Sequence, residues 1–257
     1  MSQMILHGVN TVKNNMTITH TKTAFIDGDI IAYSVGFAAN KDPVQNALHS
    51  VKIMIRSMLE ATGADSYRVY LTGDGNYREE IATIQPYKGN RKSDKPIHYE
   101  AIRDYLVNAY DAVIIDGKEA DDAMGIAQTN ALKNKEHSVI CTIDKDLNMI
   151  AGEHYNWRRA DLYNVNQSQA DLFFMRQLLE GDRVDNIPGI PGYGPKKAQA
   201  VIDSSENMSD LYWNILDIYS VHYDKPFEAM MENANLLWIQ REEDKLWNPL
   251  SAEFANV

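Results

Sequence analysis

The chain has 257 residues, 44% of them apolar, a single cysteine (Cys141) and a formal net charge of −11. That length holds one large or two small domains around a real core. No apolar run approaches the roughly 18–20 residues of a membrane span, and one cysteine excludes an internal disulfide, which fits a reducing cytoplasm.

Residues 1–22 are polar, lack the apolar core of a signal peptide and read as a flexible extension. Thr23-Ala24-Phe25-Ile26-Asp27-Gly28-Asp29 reads as a short buried strand ending in acids. Val44, Leu48, Val51, Ile55 and Met58 then recur at helical spacing. Tyr67–Thr72 reads as a second strand, with Asp74 just past its end. Residues 75–96 are irregular, polar and basic, broken by Pro86 and Pro96. Ile97, Ala101, Ile102, Tyr105 and Leu106 mark a helix, followed by a strand at Ala112–Asp116, a helix starting after Glu119 and a strand at Ser138–Ile143. The alternation predicts an α/β fold, a mostly parallel central sheet flanked by helices. From Ser168 the chain reads as mainly helical. The expected organisation is an extension at 1–22, a core at 23–165 and a helical part at 166–257.

Ligands of such sheets bind beyond the carboxyl ends of the strands. The acids cluster there: Asp27/Asp29, Asp74, Glu119/Asp121/Asp122 and Asp144/Asp146, with Asp182/Asp185 further on. A lone Asp is more often a helix cap or a solvated loop acid, but four groups at strand ends on one edge are harder to explain that way. Asp144 and Asp146 would point the same way in an extended segment, and Asp182 and Asp185 would share a face on a helical turn. No His or Cys lies near them in sequence, so all-oxygen ligation favours a hard ion, Mg²⁺ or Mn²⁺, over zinc. Two such ions about 4 Å apart could clamp the attacking and leaving oxygens of a phosphoryl displacement.

Directly after the last acid pair, Gly189, Gly192 and Gly194 allow a tight turn, and Pro195 suits the first turn of a new helix. The N–H groups of that turn and helix end make an anion site, beside Lys196 and Lys197. The acidic total argues at first against a nucleic-acid partner, yet the basic residues collect at Arg78–Arg103 and at this hairpin. Local basic patches on an acidic body are compatible with DNA binding that weakens with salt. Arg78, Lys88, Arg91, Lys92 and Lys95 read either as a solvated loop or as an electropositive gate in which Lys88 and Arg91 meet a scissile phosphate. Tyr33 reads either as a core aromatic or as a platform for a terminal base.

In order, Ile26-Asp27-Gly28-Asp29, Gly73-Asp74, Tyr87-Lys88-Gly89-Asn90-Arg91, Glu119-Ala120-Asp121-Asp122, Asp144-Lys145-Asp146 and Gly181-Asp182-Arg183-Val184-Asp185-Asn186 form a pattern that continues into Ile187-Pro188-Gly189-Ile190-Pro191-Gly192-Tyr193-Gly194. Over Thr23 to Val201 this chain resembles the flap endonuclease / 5′→3′ exonuclease superfamily, most of all its T-odd phage members. The resemblance implies a PIN-like nuclease core with a short arch at 86–100 and a helix–hairpin–helix in the C-terminal part. It also implies that Asp27, Asp74, Glu119 and Asp121 gather a first metal ion with Asp122 near it, and that Asp144, Asp146, Asp182 and Asp185 gather a second. Lys88 and Arg91 would stand at the base of the arch, and Tyr33 would stack a base. Gly192, Gly194, Lys196 and Lys197 would hold the duplex backbone, with K⁺ on hairpin carbonyls. Arg78 and Lys92 join the DNA-binding set.

The expectation is a Mg²⁺-dependent, structure-selective 5′ nuclease acting on duplex DNA ends and 5′ flaps, and on RNA paired to DNA. It is expected as a cytoplasmic monomer without a membrane partner. Two other readings compete. Phe25-Ile26-Asp27-Gly28-Asp29 also looks like the nucleophile motif of haloacid-dehalogenase phosphatases, with Asp27 as nucleophile and Asp29 as acid/base, and the chain could be a non-catalytic binder of branched DNA.

Overall fold

The computed structural model describes residues 21–91 and 94–249. Lys92, and all but the last two residues of the 1–22 extension, lie outside the described residues. Six strands form the sheet: β1 (Lys22–Asp27), β2 (Ser66–Thr72), β3 (Val113–Ile115), β4 (His137–Cys141), β5 (Gly152–Asn156) and β6 (Asp161–Val165). Their order is β3-β2-β1-β4-β5-β6, and every pairing is parallel except the β5–β6 hairpin. Apolar β1 lies at the centre, as a strand covered on both faces must.

Alternation along the strands divides the core. Ala24, Ile26, Val69, Leu71, Val139 and Cys141 face one side, against α1 (Gly28–Ala38), α2 (Val44–Thr62) and α4 (Tyr99–Tyr110). Phe25, Tyr70 and Ile140 face the other, beneath α5 (Ala120–Lys133), α6 (Gln167–Glu180), α8 (Met208–His222) and α9 (Pro226–Leu237). This second cluster runs without a break from Met124 of α5 through Phe174 of α6 to Trp238 and Trp247, so α5 covers that face of the sheet and the C-terminal helices extend its core. Burial of these side chains, worth about 1.5–3 kcal/mol for each large aliphatic or aromatic one, fixes the strand ends from which the acids project.

Two remaining helices are short or peripheral: α3 (Tyr77–Ile81), inside the stretch expected to be irregular, and α7 (Pro195–Ser204), after the glycine hairpin. The helix expected from Ile97 begins instead at Tyr99; Ile97 is exposed and its N–H donates to Asn40 Oδ1 at 2.8 Å. Among the described residues, 82–98 contain no helix. The β5–β6 hairpin has no counterpart in the sequence pattern because Gly152-Glu153-His154-Tyr155-Asn156 carries too few apolar residues to show a strand period. No helix among the described residues is long and apolar enough to cross a membrane.

Candidate active site

Each acid is placed by a specific local device. Asp27 ends β1 and caps α1: Oδ1 accepts the Ile30 N–H at 3.0 Å, and Oδ2 accepts the Thr142 hydroxyl at 2.8 Å. The helix can start at once because Gly28 follows; a Cβ there would lie 2.6 Å from the Tyr70 carbonyl oxygen. Asp74, beyond β2, donates its N–H to Asp116 Oδ1 at 2.9 Å. Glu119 is the cap residue of α5, with Asp121 in the first turn, so the helix does start after Glu119. Asp144 lies beyond β4 and accepts the Asp146 N–H at 2.9 Å. Asp146 opens a 3₁₀ turn (Asp146–Met149), so the two are joined by a turn and not by the extended backbone expected.

Asp182 and Asp185 also depart from expectation. α6 ends at Glu180, and the main chains of Asp182 and Ile187 exchange two hydrogen bonds of 2.9 and 2.7 Å. Asp182 Oδ1 accepts the Val184 N–H at 2.7 Å. The pair therefore sits in a closed turn, not on a helix face. Gly181 and Gly189 pass so close there that a Cβ on either would collide with the other's backbone, and both hold positive φ (69° and 58°).

Two adjoining cavities collect the acids. The larger, about 590 Å³, is lined by Asp27, Asp74, Asp116, Glu119, Asp121 and Asp144, with Tyr33 and Arg103 among its other walls. The smaller, about 150 Å³, shares Glu119, Asp121 and Asp144 and adds Asp146, Asp182 and Asp185. Lys88 and Arg91 line both. Lys88 pairs with Glu119 and lies 3.8 Å from Asp185; Arg91 pairs with Asp185; Lys145 lies 3.0 Å from Asp146 and 3.5 Å from Asp182. Tyr33, half-buried, has its ring centroid 4.8 Å from that of Tyr99.

The charge balance fits a cation-binding site. Burial, then the neighbouring Asp29 and Asp144, pushes Asp27 up to about 7 against the hydrogen bonds from Ile30 and Thr142. Burial, with Asp27 and Asp144 beside it, holds Asp121 well above the usual carboxylate range, and burial with Asp144 raises Asp146 to about 6. Glu119 goes the other way, because Lys88 and Arg78 outweigh its burial. Buried carboxylates facing one another stay protonated unless a cation lies between them, and an oxygen-only donor set suits a hard divalent ion. Among the described residues, no three His, Cys, Asp or Glu side chains are gathered tightly enough to form a ready-made metal shell. Several of the carboxylates are instead turned to Lys88, Arg91 and Lys145.

Two expected site residues are committed to the core behind the acids. Arg78, 2% exposed, and Asp122, 0% exposed, form a buried bidentate pair at 2.6 and 2.9 Å. Arg78 also donates to the Leu236 and Trp238 carbonyls at 3.0 and 2.6 Å, and Asp122 accepts the Gln240 and Glu119 N–H groups. Arg78 therefore touches the smaller cavity only from its buried wall, and Asp122 has no free oxygen for a metal. Together they tie the C-terminal tail to α5. Asp29 gains a role: it accepts from Arg103 at 2.6 Å and from the Thr72 N–H at 2.8 Å. It lines the larger cavity beside Asp27, with both carboxylate oxygens engaged.

Several further residues join the site. The Tyr87 hydroxyl lies 3.1 Å from Glu119 Oε2 and 3.0 Å from Asp185 Oδ2, bridging the two acid groups. Asn76 donates to Glu119 at 3.0 Å and Gln177 to Asp146 at 2.7 Å. Tyr87 stands beside Lys88 in the basic motif and Asn76 two residues after Asp74; Gln177 gives no sequence signal, because a lone polar residue on an apolar helix has no spacing to betray it. At the hairpin, Gly192 has φ 79°, and Gly194 caps α7 with Pro195 in its first turn. Lys196 and Lys197 are exposed on that turn, the latter's Nζ 5.2 Å from the Tyr193 ring centre. Lysines at a helix N-terminus oppose the helix dipole, so the local field there is strongly positive.

No protein-family model matches the chain. It is 29% identical over 226 residues to DNA polymerase I of Caldicellulosiruptor bescii, covering 77% of this chain but 26% of that protein. The chain thus spans about a quarter of the length of the DNA polymerase I relatives it matches. It is 30% identical over 129 residues to the exodeoxyribonuclease of phage T3, covering 48% of this chain and 42% of that one. It is 28% identical over 168 residues to the flap endonuclease Xni of Shewanella woodyi, covering 57% and 64%. Among solved structures, the 5′-exonuclease of bacteriophage T5 with bound zinc superimposes with a TM-score of 0.56 at 18% identity, covering 84% of this chain and 100% of that one. The T5 flap endonuclease in a pseudo-enzyme–product complex with DNA and metal ions gives the same score and identity, covering 84% and 99%. Sequence relatives and fold agree with the ordered motifs: the chain is similar to 5′ nucleases in sequence and shares the fold of the T5 5′-exonuclease.

Proposed function

We propose that this protein is a divalent-metal-dependent 5′ nuclease that hydrolyses phosphodiesters near the 5′ ends of duplex DNA and at 5′ flaps. One observation carries the reading: acids from five separate segments meet in adjoining cavities beneath Lys88 and Arg91. Asp27, Asp74, Glu119 and Asp121 would hold one ion, and Asp144, Asp146, Asp182 and Asp185 the other. Mg²⁺ is the natural occupant, with Mn²⁺ able to replace it, and these ions supply Lewis-acid stabilisation of phosphate charge when bound.

The chain's own residues do the rest. Lys88 and Arg91 leave their carboxylate partners to meet the scissile phosphate and stabilise the charge that builds on it. Tyr33, at the wall of the larger cavity, stacks the base beside the cut. The N–H groups around Gly192 and Gly194, with Lys196 and Lys197, grip the duplex backbone, and K⁺ on the hairpin carbonyls would assist. Recognition through backbone and shape selects structure over sequence and admits RNA–DNA hybrid as a secondary substrate. The protein acts as a monomer. The phosphatase alternative would need Asp29 to leave Arg103 and the Thr72 N–H, and it gives the glycine hairpin with Lys196 and Lys197 no role. The activities that the phage T3 and Shewanella relatives are named for support the nuclease reading.

The test compares wild type with Asp144→Asn on a duplex bearing a 5′ flap, in Mg²⁺. The variant should lose turnover and keep DNA affinity. A variant that retains full rate removes the acids from the mechanism, and a wild type that binds the flap without cutting it makes the protein a binder of branched DNA.

A further inference from the structure

The basic loop that carries Lys88 and Arg91 is unusually well tied down for an exposed segment. At its start, the N–H groups of Thr83 and Ile84 donate to Glu232 of α9, at 2.8 and 2.7 Å. In its middle it meets the acid turn at 182–187 through a reciprocal pair of amides. Asn186 donates from Nδ2 to the Pro86 carbonyl at 2.9 Å, and Asn90 donates from Nδ2 to the Arg183 carbonyl at 2.6 Å. Between them the Lys88 N–H donates to the Asp185 carbonyl at 2.8 Å.

Two residues in this junction hold left-handed backbone, Lys88 at φ 54° and Asn186 at φ 60°. Asn tolerates that region; Lys rarely adopts it. Such a conformation persists only where its surroundings over-determine it, and here the cross-loop bonds do so. Neither Asn90 nor Asn186 lines the acid cavities; both line a separate cleft of about 540 Å³ between the basic loop and the glycine hairpin. The acid turn continues directly into that hairpin, whose Ile190 N–H is bonded to the Leu179 carbonyl of α6 at 2.9 Å. The path from hairpin to Lys88 is therefore bonded at each step.

We infer that Asn90 and Asn186 are positioning residues that lock the Lys88/Arg91 loop to the hairpin, so that the distance from the gripped duplex backbone to the attacked phosphate is fixed and the cut falls at one place. This rests on the nuclease reading above. Loosening the lock should misplace the cationic pair without removing it, and a small misplacement costs rate while ground-state binding survives.

The variants are Asn186→Gly, Asn90→Ala and the double. Glycine keeps the left-handed backbone and removes only the amide, and Asn90 is exposed, so both single variants should fold; urea melts check this. Each is assayed for single-turnover cleavage of a 5′-labelled flap duplex in Mg²⁺, with cut positions mapped to the nucleotide, and for duplex affinity in Ca²⁺. Each single variant should cut about three- to tenfold more slowly, the scale of one lost hydrogen bond, with cuts spread over neighbouring phosphates and affinity within about twofold of wild type. A double variant that cuts at the wild-type phosphate at the wild-type rate overturns the inference. So does a loss of rate matched by an equal loss of affinity with the cut position unchanged, since that is the mark of general damage. A wild type inactive on the same substrate would sink the nuclease reading itself, whereas the inference fails separately only when wild type is active.

Discussion

Breaking the Arg78–Asp122 pair separates a structural cation from a DNA-binding one. In the wild type burial works against the Arg78 charge but Asp122 outweighs it and holds Arg78 well above its already high range; Asp122→Asn leaves the guanidinium buried without that counter-charge, and so strong a base does not shed its proton. Removing one partner of a buried, hydrogen-bonded ion pair costs about 3–5 kcal/mol. For a chain of this size each kcal/mol moves Tm by about 2–4 °C, so the melt should fall by about 6–20 °C. Arg78→Met should be similarly destabilising, because it strands the Asp122 carboxylate and frees the Leu236 and Trp238 carbonyls that anchor the tail. The double variant Arg78→Met/Asp122→Leu should recover part of the loss, since no charge is then left unpaired. Thermal and urea melts give the stability, and duplex affinity measured on folded protein in Ca²⁺ should stay within about twofold of wild type. An Arg78→Met protein that melts like wild type but loses DNA affinity would refute the assignment and return Arg78 to the DNA surface.

Two other consequences follow from the site. In EDTA, stability should fall as pH rises from about 4 to 7. Asp27 titrates near 7 when folded against an ordinary 3.8, so the folded state holds a proton that the unfolded state releases in that window; the stabilisation is complete below the lower value and lost through the upper. The slope is at most about 1.4 kcal/mol per pH unit for one group. Asp27→Asn should reduce it, leaving the share of Asp121 and Asp146, which are raised as well, and saturating Mg²⁺ should offset it; a wild-type profile already flat in EDTA would contradict the crowding of the carboxylates. At the hairpin, Lys196→Ala/Lys197→Ala should weaken duplex binding and reduce the slope of log K against log salt by up to about 2, near one for each phosphate deprived of its lysine. An unchanged slope would remove those lysines from the interface.

Where the sequence was legible, it was so because a physical period exposed it. Ala24-Phe25-Ile26 and Val69-Tyr70-Leu71 could only be covered strands, and an acid after a covered strand must emerge at the sheet's carboxyl edge, as Asp27 and Asp74 do. Glycine and proline marked the hairpin before α7 for the same kind of reason. Burial of charge has no such signature. Arg78 counts as a basic residue among basic residues until the tail at 236–240 is seen folded over it, more than 150 positions away. Asp122 likewise looks like its neighbour Asp121, yet one helical step turns it from the cavity into the core. The turn that holds Asp182 and Asp185 defeats a spacing argument because a separation of three suits a helix equally well; what excludes the helix is Gly181, held at φ 69° by its contact with Gly189.

On the proposed function, the clustered acids serve cleavage of DNA from its 5′ side. The most direct measurement uses a duplex with a 5′ flap, labelled at the 5′ end in one sample and at the 3′ end of the same strand in another, incubated with Mg²⁺ or with EDTA. The expected result is Mg²⁺-dependent release of short 5′-labelled products, a 3′-labelled remainder that begins with a 5′ phosphate at or near the junction, and no reaction in EDTA. Cleavage that survives EDTA, or products that grow inward from the 3′ end, would contradict it.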